Sequence, residues 1–303
     1  MKLVIFGCGN IAHRIAKGAK LVADCDLVGF ASHDIDKAKT YAQTYGCKEY
    51  GDYDYFLNSD VDAVYIATYN INHYELIKEC LNNHKHVICE KPMLPSIKEN
   101  KEMYDLANKN QCILLEALKA NYLPLMNKVK QMINNKEIGE VKYIEANFIR
   151  NGHHSDEHWI NDLKTGGCLK DLGCYTVGIM NFLTDRKPTL IHSYKNDLTK
   201  GESFAEVNID YEGIKAHSIV SHSVDGDSSL MVCGTDGYIC VNNFWKTGKG
   251  YYVVNNQRYE LDEEMINDFY YEIKYFTEIV DNNNITENII NEIISEYKLI
   301  ITG

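Results

Sequence analysis

Short apolar runs alternate with stretches of helical spacing through the first 118 residues of the chain. Residues 2–6, 26–31, 62–67, 85–89 and 112–116 are apolar runs of strand length. Between them, residues 11–22, 34–45, 73–84 and 96–109 carry apolar positions at helical spacing, the last stretch opened by Ser96 as a cap. Strands alternating with helices of this length predict parallel βαβ units with right-handed crossovers. Residues 1–118 therefore read as a doubly wound α/β domain.

After Pro124 the pattern changes. A helix over 125–135 leads into a strand over 141–148, and a second helix starts near Leu169, with Leu169, Leu172, Ile179 and Leu183 as its buried stripe. From 190 to 261, strand-like runs at 204–211, 214–222, 229–234, 238–244 and 251–255 are punctuated by Gly213, Gly226 and Gly237. They predict a large, mostly antiparallel open sheet. Phe269, Ile273, Phe276 and Val280 then share one helical face. Residues 119–303 thus read as a second, α+β domain.

Composition narrows the function. With 303 residues, 45% of them hydrophobic, the chain has material for two cores. A net charge of −12 argues against a nucleic-acid partner, because phosphate binding is driven by clustered cations. No run approaches the ~18 uncharged apolar residues of a membrane span. Leu3-Val4-Ile5-Phe6 is too short for a signal peptide and is followed by Gly7 and Gly9, so it reads as the first strand of a cytoplasmic protein. Ten cysteines without a C-x-x-C pair fit that compartment as buried or reduced thiols.

The first strand runs into Gly7-Cys8-Gly9-Asn10-Ile11-Ala12, and this opens the first helix. Strand, glycines and helix in that order form the dinucleotide fingerprint: Gly7 for the tight turn, Gly9 for close approach of backbone to pyrophosphate, Ala12 for helix–strand packing. The helix start at Asn10 and Ile11 offers N–H groups and a positive dipole end to the phosphates. Past the second strand, Ser32 and His33 suit a 2′-phosphate, whereas Asp34 suits ribose hydroxyls if it points inward. On balance the residues favour NADP(H) over NAD(H).

Two further runs carry chemistry. Glu90-Lys91-Pro92 ends the run at 85–89 and places a cation outside the carboxyl end of a parallel strand, where open α/β sheets bind ligands. Gly166-Gly167 leads to Asp171 and Tyr175, four apart and so on one face of the expected helix. Before that helix, His154 and His158 flank acidic residues and Trp159 follows. No H-E-x-x-H is present, so the loop reads as a substrate wall made by His154, His158 and Trp159, with no metal.

These motifs together resemble the glucose–fructose oxidoreductase/inositol dehydrogenase (Gfo/Idh/MocA) family. The resemblance also takes in Thr68-Tyr69-Asn70-Ile71-Asn72-His73, Glu116-Ala117, Ile138-Gly139-Glu140-Val141 and Tyr271 to Phe276. It implies an NAD(P)-dependent oxidoreductase moving hydride to or from a hydroxyl or carbonyl carbon of a sugar, polyol or diol. It implies Lys91, Tyr175 and Asp171 as catalytic residues, and Thr68, Asn70, His73, Glu90 and Lys91 on the cofactor. It also implies a homodimer or larger homo-oligomer built through the C-terminal sheet. Tyrosine at the acid/base position is similar to the dihydrodiol and xylose dehydrogenase branch. Two departures matter: Tyr69 stands where the family commonly has proline, and Lys119 to Pro124 contains no arginine. A dinucleotide-sensing regulator on the same fold, or a reductase of a non-sugar carbonyl or imine, are the alternatives.

Overall fold

A computed structural model describes residues 1–94, 96–153, 157–163, 165–186, 188–197 and 199–295. The chain forms two compact units, Met1–Ala117 with Ile266–Ser295, and Leu118–Met265. Among the described residues, no helix is long and apolar enough to cross a membrane.

The first unit contains β1 (Lys2–Phe6), α1 (Asn10–Ala19), β2 (Asp26–Ala31), α2 (Ile35–Tyr45), β3 (Glu49–Gly51) and α3 (Tyr53–Leu57). It continues with β4 (Ala63–Ile66), α4 (His73–Asn82), β5 (His86–Glu90), α5 (Ile97–Lys109) and β6 (Leu114–Ala117). The six strands are parallel, in the order β3-β2-β1-β4-β5-β6. That is the order of a Rossmann sheet, with its switch point between β1 and β4. Leu3 to Phe6 are fully buried at its centre. Asp34, Asp52 and Ser96 each accept a hydrogen bond from a backbone N–H in the first turn of the following helix, fixing where α2, α3 and α5 begin. The short β3 and α3 carry too little periodicity to be visible in the sequence.

The second unit contains α6 (Pro124–Asn134), β7 (Val141–Ile149), α7 (Cys168–Asp171), α8 (Gly173–Thr184), β8 (Pro188–Lys195), β9 (Phe204–Tyr211) and β10 (Ile214–Ser221). β11 (Ser229–Gly234), β12 (Gly237–Asn242), β13 (Lys249–Val254) and β14 (Gln257–Asp262) complete it. Its eight-stranded sheet runs β14-β13-β12-β11-β7-β10-β9-β8, antiparallel except for the β7–β10 pair. Helix α8 covers β7 and β10; Ser218 Oγ on β10 donates to Thr176 Oγ1 at 2.8 Å and Tyr211 Oη at the end of β9 to Asn181 Oδ1 at 2.6 Å, both pairs buried.

Two features differ from the sequence reading. The helix expected from Leu169 is two helices, interrupted at Leu172, whose carbonyl accepts from the N–H groups of both Tyr175 and Thr176. Asp171 therefore ends one helix and Tyr175 lies in the first turn of the next. The closing helices α9 (Tyr270–Asp281) and α10 (Glu287–Ser295) pack with the first unit, where the sequence reading runs the second domain to residue 303. Ile273 and Phe276 are fully buried there, and Gly18 of α1 allows close approach, since a Cβ would lie 2.8 Å from that of Phe269. Asn288 accepts from Leu114 N–H and donates to the Cys112 carbonyl, both at 2.9 Å. That side chain satisfies main-chain groups at and just before β6, the last strand of the sheet among the described residues.

Candidate active site

At the glycine turn, φ of Gly7 is +104°, and a Cβ there would lie 2.6 Å from the Ala67 carbonyl oxygen. Only glycine fits. Gly9, the N-cap of α1, faces open space, and no side chain caps the helix. No side chain takes up the N–H groups of the first turn, of which that of Ala12 donates to the Gly9 carbonyl at 3.0 Å. The open glycine turn at a helix start fits the pyrophosphate of the dinucleotide that the fingerprint implies. Asn10 is exposed and Ile11 half-buried beside it.

Past β2, Ser32 is buried and its Oγ accepts from Asp34 N–H at 3.1 Å. Asp34 in turn caps α2, accepting from Lys37 N–H at 3.1 Å, so its carboxylate is committed to the helix start. His33 and Lys37 are exposed. Burial pushes the Cys8 thiol up to about 11, and the nearby Lys37 ammonium opposes that rise. Lys37 is a cation at the glycine turn that the sequence reading did not single out.

The Lys91 loop is held on several sides by groups of its own unit. Before it, Glu90 Oε1 accepts from Tyr65 Oη at 3.0 Å, and the same phenol lies 2.9 Å from Glu272 Oε1 on α9. Burial and the two carboxylates push the Tyr65 phenol well above its usual range. After Lys91, Met93 N–H donates to Glu116 Oε1 at 2.7 Å. Below the loop, His73 is buried, with Nδ1 3.2 Å from Pro92 O and 3.0 Å from Met93 O, and Nε2 3.3 Å from Thr68 O. Burial holds His73 below the usual histidine range, and a ring with a single N–H donates either from Nδ1 to the Pro92 and Met93 carbonyls or from Nε2 to that of Thr68. Lys91 and Asn70 are half-buried, and the Lys91–Pro92 peptide is cis. Tyr69 is 72% exposed.

In the second unit, the residues of interest gather where parallel β7 and β10 both end. Tyr175 is half-buried, its ring centroid 5.7 Å from that of Phe148. Phe148 is stacked on Trp245 at 3.7 Å and 21°, and the Arg150 guanidinium lies 5.9 Å from the Phe148 centroid. Asp171 Oδ2 is 3.0 Å from His222 Nε2. Glu202 accepts from Leu169 N–H at 2.8 Å and fixes the start of α7, tight against Gly167, whose φ is +99°. Gly178 leaves no cleft, because Leu118 fills the space at 3.3 Å from where a Cβ would sit. The sequence reading did not find Phe148, Trp245 or His222, since each reaches Asp171 or Tyr175 only through the pairing and packing of distant strands. His158 accepts from Ile160 N–H at 3.3 Å and caps its own turn, with Trp159 half-buried beside it. His154 lies outside the described residues.

Comparison with known proteins bears on both units. The model of the "Oxidoreductase family, NAD-binding Rossmann fold" matches residues 1–118, and that of the "GFO/IDH/MocA C-terminal domain" matches residues 126–240. The chain belongs to the Gfo/Idh/MocA family. It is therefore an NAD(P)-dependent oxidoreductase, as its glycine fingerprint implies. Among its relatives, trans-1,2-dihydrobenzene-1,2-diol dehydrogenase of Xenopus laevis is 28% identical over 228 residues, 73% of this chain and 68% of that one. The scyllo-inositol 2-dehydrogenase (NADP(+)) of Bacillus subtilis is 28% identical over 255 residues, 80% of this chain and 76% of that one. In fold, the chain is similar to the 3-ketoreductase KijD10 of Actinomadura kijaniata, solved with NADP and TDP-benzene. The TM-score is 0.86 at 19% identity, covering 100% of this chain and 97% of the other.

Proposed function

We propose that this member of the family oxidises or reduces a ring-bearing polyol or diol with NADP(H), using Lys91, Tyr175 and Asp171. Nicotinamide, when bound, takes up or supplies the hydride. Tyr175 moves the proton at the substrate oxygen, as phenolate in oxidation and as phenol in reduction. Lys91 positions and polarises that oxygen, and its charge favours the phenolate. Asp171 orients the pair. The observation that carries the reading is the Lys91 loop, anchored through Glu90, Pro92 and Met93 at the carboxyl end of β5. Catalysis needs such fixed placement of a charged group.

The preference for NADP(H) is supported by Asp34, whose carboxylate caps α2, and by Ser32, His33 and Lys37, which offer donors and positive charge to a 2′-phosphate. Gly7, Gly9, Asn10 and Ile11 would cradle the pyrophosphate, and Thr68, Asn70, His73 and Glu90 would shape the nicotinamide end. The ring preference is supported by the Phe148–Trp245 stack beside Tyr175, an apolar platform, and by the diol and inositol named for two relatives. His154, His158 and Trp159 would contribute the outer wall. The same reading has two copies pairing through the eight-stranded sheet in the cytoplasm, in keeping with ten cysteines that form no disulfide among the described residues.

The test is an absorbance screen of aldoses, polyols and cyclic diols with NADP⁺ and NAD⁺, repeated with Lys91→Ala and Tyr175→Phe. Each variant is expected to lose ~10²–10⁴ in turnover. Near-normal turnover in both sinks the assignment, and cofactor binding without turnover across the panel favours a sensor.

A further inference from the structure

Two tyrosines to which the reading above gives no task tie α2 to the start of α1. Tyr41 and Tyr45 are four apart on α2 and so share a face. Tyr41 Oη donates to the Gly9 carbonyl at 3.2 Å, and Tyr45 Oη to the His13 carbonyl at 3.1 Å. The acceptors are also four apart, one at the N-cap of α1 and one inside the helix. The His13 ring touches both phenols, stacked on Tyr41 at 4.3 Å and 22°, with Nδ1 2.8 Å from Tyr45 Oη. Phe30, fully buried on β2, lies edge-on to Tyr41 at 5.5 Å. Burial, with Cys8 and Tyr45 nearby, pushes the Tyr41 phenol up, so it keeps the proton it donates.

Peptide geometry carries that contact to the far side of the turn. The Gly9–Asn10 peptide is trans and planar, so its carbonyl and its N–H point in opposite directions. The Tyr41 hydroxyl and Ala12 N–H both donate to that carbonyl, at 3.2 and 3.0 Å. Holding the carbonyl therefore aims the Asn10 N–H the other way. That N–H is one of the groups a helix start leaves without an intrahelical partner. Glycine gives a chain its widest freedom to turn, so a donor from a neighbouring helix adds a restraint that Gly9 itself lacks.

We infer that Tyr41 is a positioning residue for the cofactor: its hydroxyl pins the Gly9–Asn10 peptide and presets the Asn10 N–H for the pyrophosphate, without touching the dinucleotide. The inference rests on the glycine turn holding the pyrophosphate, as proposed above. It goes beyond that reading by adding a residue of α2 that acts through the main chain. Lys37, one turn before Tyr41, offers charge to a 2′-phosphate and so separates NADPH from NADH. Tyr41 acts on the part that the two cofactors share.

The experiment measures dissociation constants on the full chain, by fluorescence titration for NADPH and NADH and by competition for ADP and adenosine 2′-phosphate. Tyr41→Phe keeps the ring and removes only the hydroxyl. It is expected to weaken NADPH, NADH and ADP by one common factor of ~3- to 10-fold, the worth of a hydrogen bond. Adenosine 2′-phosphate, which has no pyrophosphate, is expected to bind as before. Tyr45→Phe removes the equivalent bond between the same two helices, away from the Gly9 carbonyl, and is expected to leave all four ligands unmoved. Unchanged NADPH affinity in Tyr41→Phe, equal losses in the two variants, a loss confined to NADPH, or an equal loss for adenosine 2′-phosphate overturns the inference.

A measurement without ligand stands beside it. In ¹H–¹⁵N spectra of the free protein, the Asn10 amide shares its peptide with the Gly9 carbonyl and is expected to shift in Tyr41→Phe but not in Tyr45→Phe. An Asn10 amide that ignores Tyr41→Phe refutes the contact. Wild-type NADPH affinity in Gly7→Ala would instead remove the underlying reading, whatever Tyr41 does.

Discussion

The loop carrying Lys91 and the strand ends around Tyr175 are built on opposite principles. Lys91 sits among polar groups held close to one another: Tyr65 beside two glutamates, Met93 N–H on Glu116, His73 with carbonyls at both ring nitrogens. Tyr175 sits at the edge of an aromatic stack, where Phe148 and Trp245 give area and shape. Polar networks of the first kind fix geometry, because any shift leaves a buried group unsatisfied. Aromatic surfaces of the second kind tolerate a change of ligand. The difference teaches a division of labour for the proposed reaction: the Lys91 loop is specified by hydrogen bonds, the surroundings of Tyr175 by aromatic surface.

The comparison can be broken most forcefully at Gly7. Gly7→Ala meets both a positive φ and the Ala67 carbonyl, so loss of NADPH binding is expected, with a fall in stability of ~1–3 kcal/mol from backbone strain alone. Fluorescence titration and thermal unfolding measure both, and wild-type affinity would refute the cradle. Tyr65→Phe comes next. Taking away the phenol leaves Glu90 and Glu272 without one partner in a buried place, for ~1–3 kcal/mol, and loosens the loop, so kcat is expected to fall along with Tm. A fall in Tm with kcat unchanged would mean the network serves folding only.

Trp245→Leu sharpens the other side. It is expected to raise KM for substrate by the ~0.5–1.5 kcal/mol of an aromatic contact, with cofactor affinity and Tm little changed. An equal effect on NADPH binding would contradict the division of labour. The smallest effect is one of pH. His73 is held below its unfolded value by burial, so the unfolded chain binds the extra proton first. Its contribution to stability is present above the unfolded pKa of ~6.5 and is lost as pH falls below that value toward the folded pKa. A Tm-against-pH curve should therefore decline over that window, and less steeply in His73→Asn.

Much of this was legible in the residues because it is local. The glycine fingerprint, the Ser96 cap and the strands Phe204–Tyr211 and Ser229–Gly234 are set by neighbours in sequence, and all stand where the pattern places them. What escaped depends on long-range pairing. Asp171 and Tyr175 look like one helical face, but the chain restarts its helix at Gly173. His222 and Trp245 carry no motif of their own. They matter because one follows a strand parallel to β7 and the other stacks on the ring of Phe148. No periodicity reports a register between strands about seventy residues apart.

The placement of Glu272 and Asn288 has a consequence for how the protein is made. A ribosome delivers residues 1–117 first, yet the main chain at β6 and the Tyr65 phenol beside Glu90 meet side chains of the much later α9 and α10. The first unit therefore gains its full set of contacts only after residues 118–265 have been made. Cofactor affinity should appear only with the final helices, and a nascent chain stopped before Tyr270 should lack it.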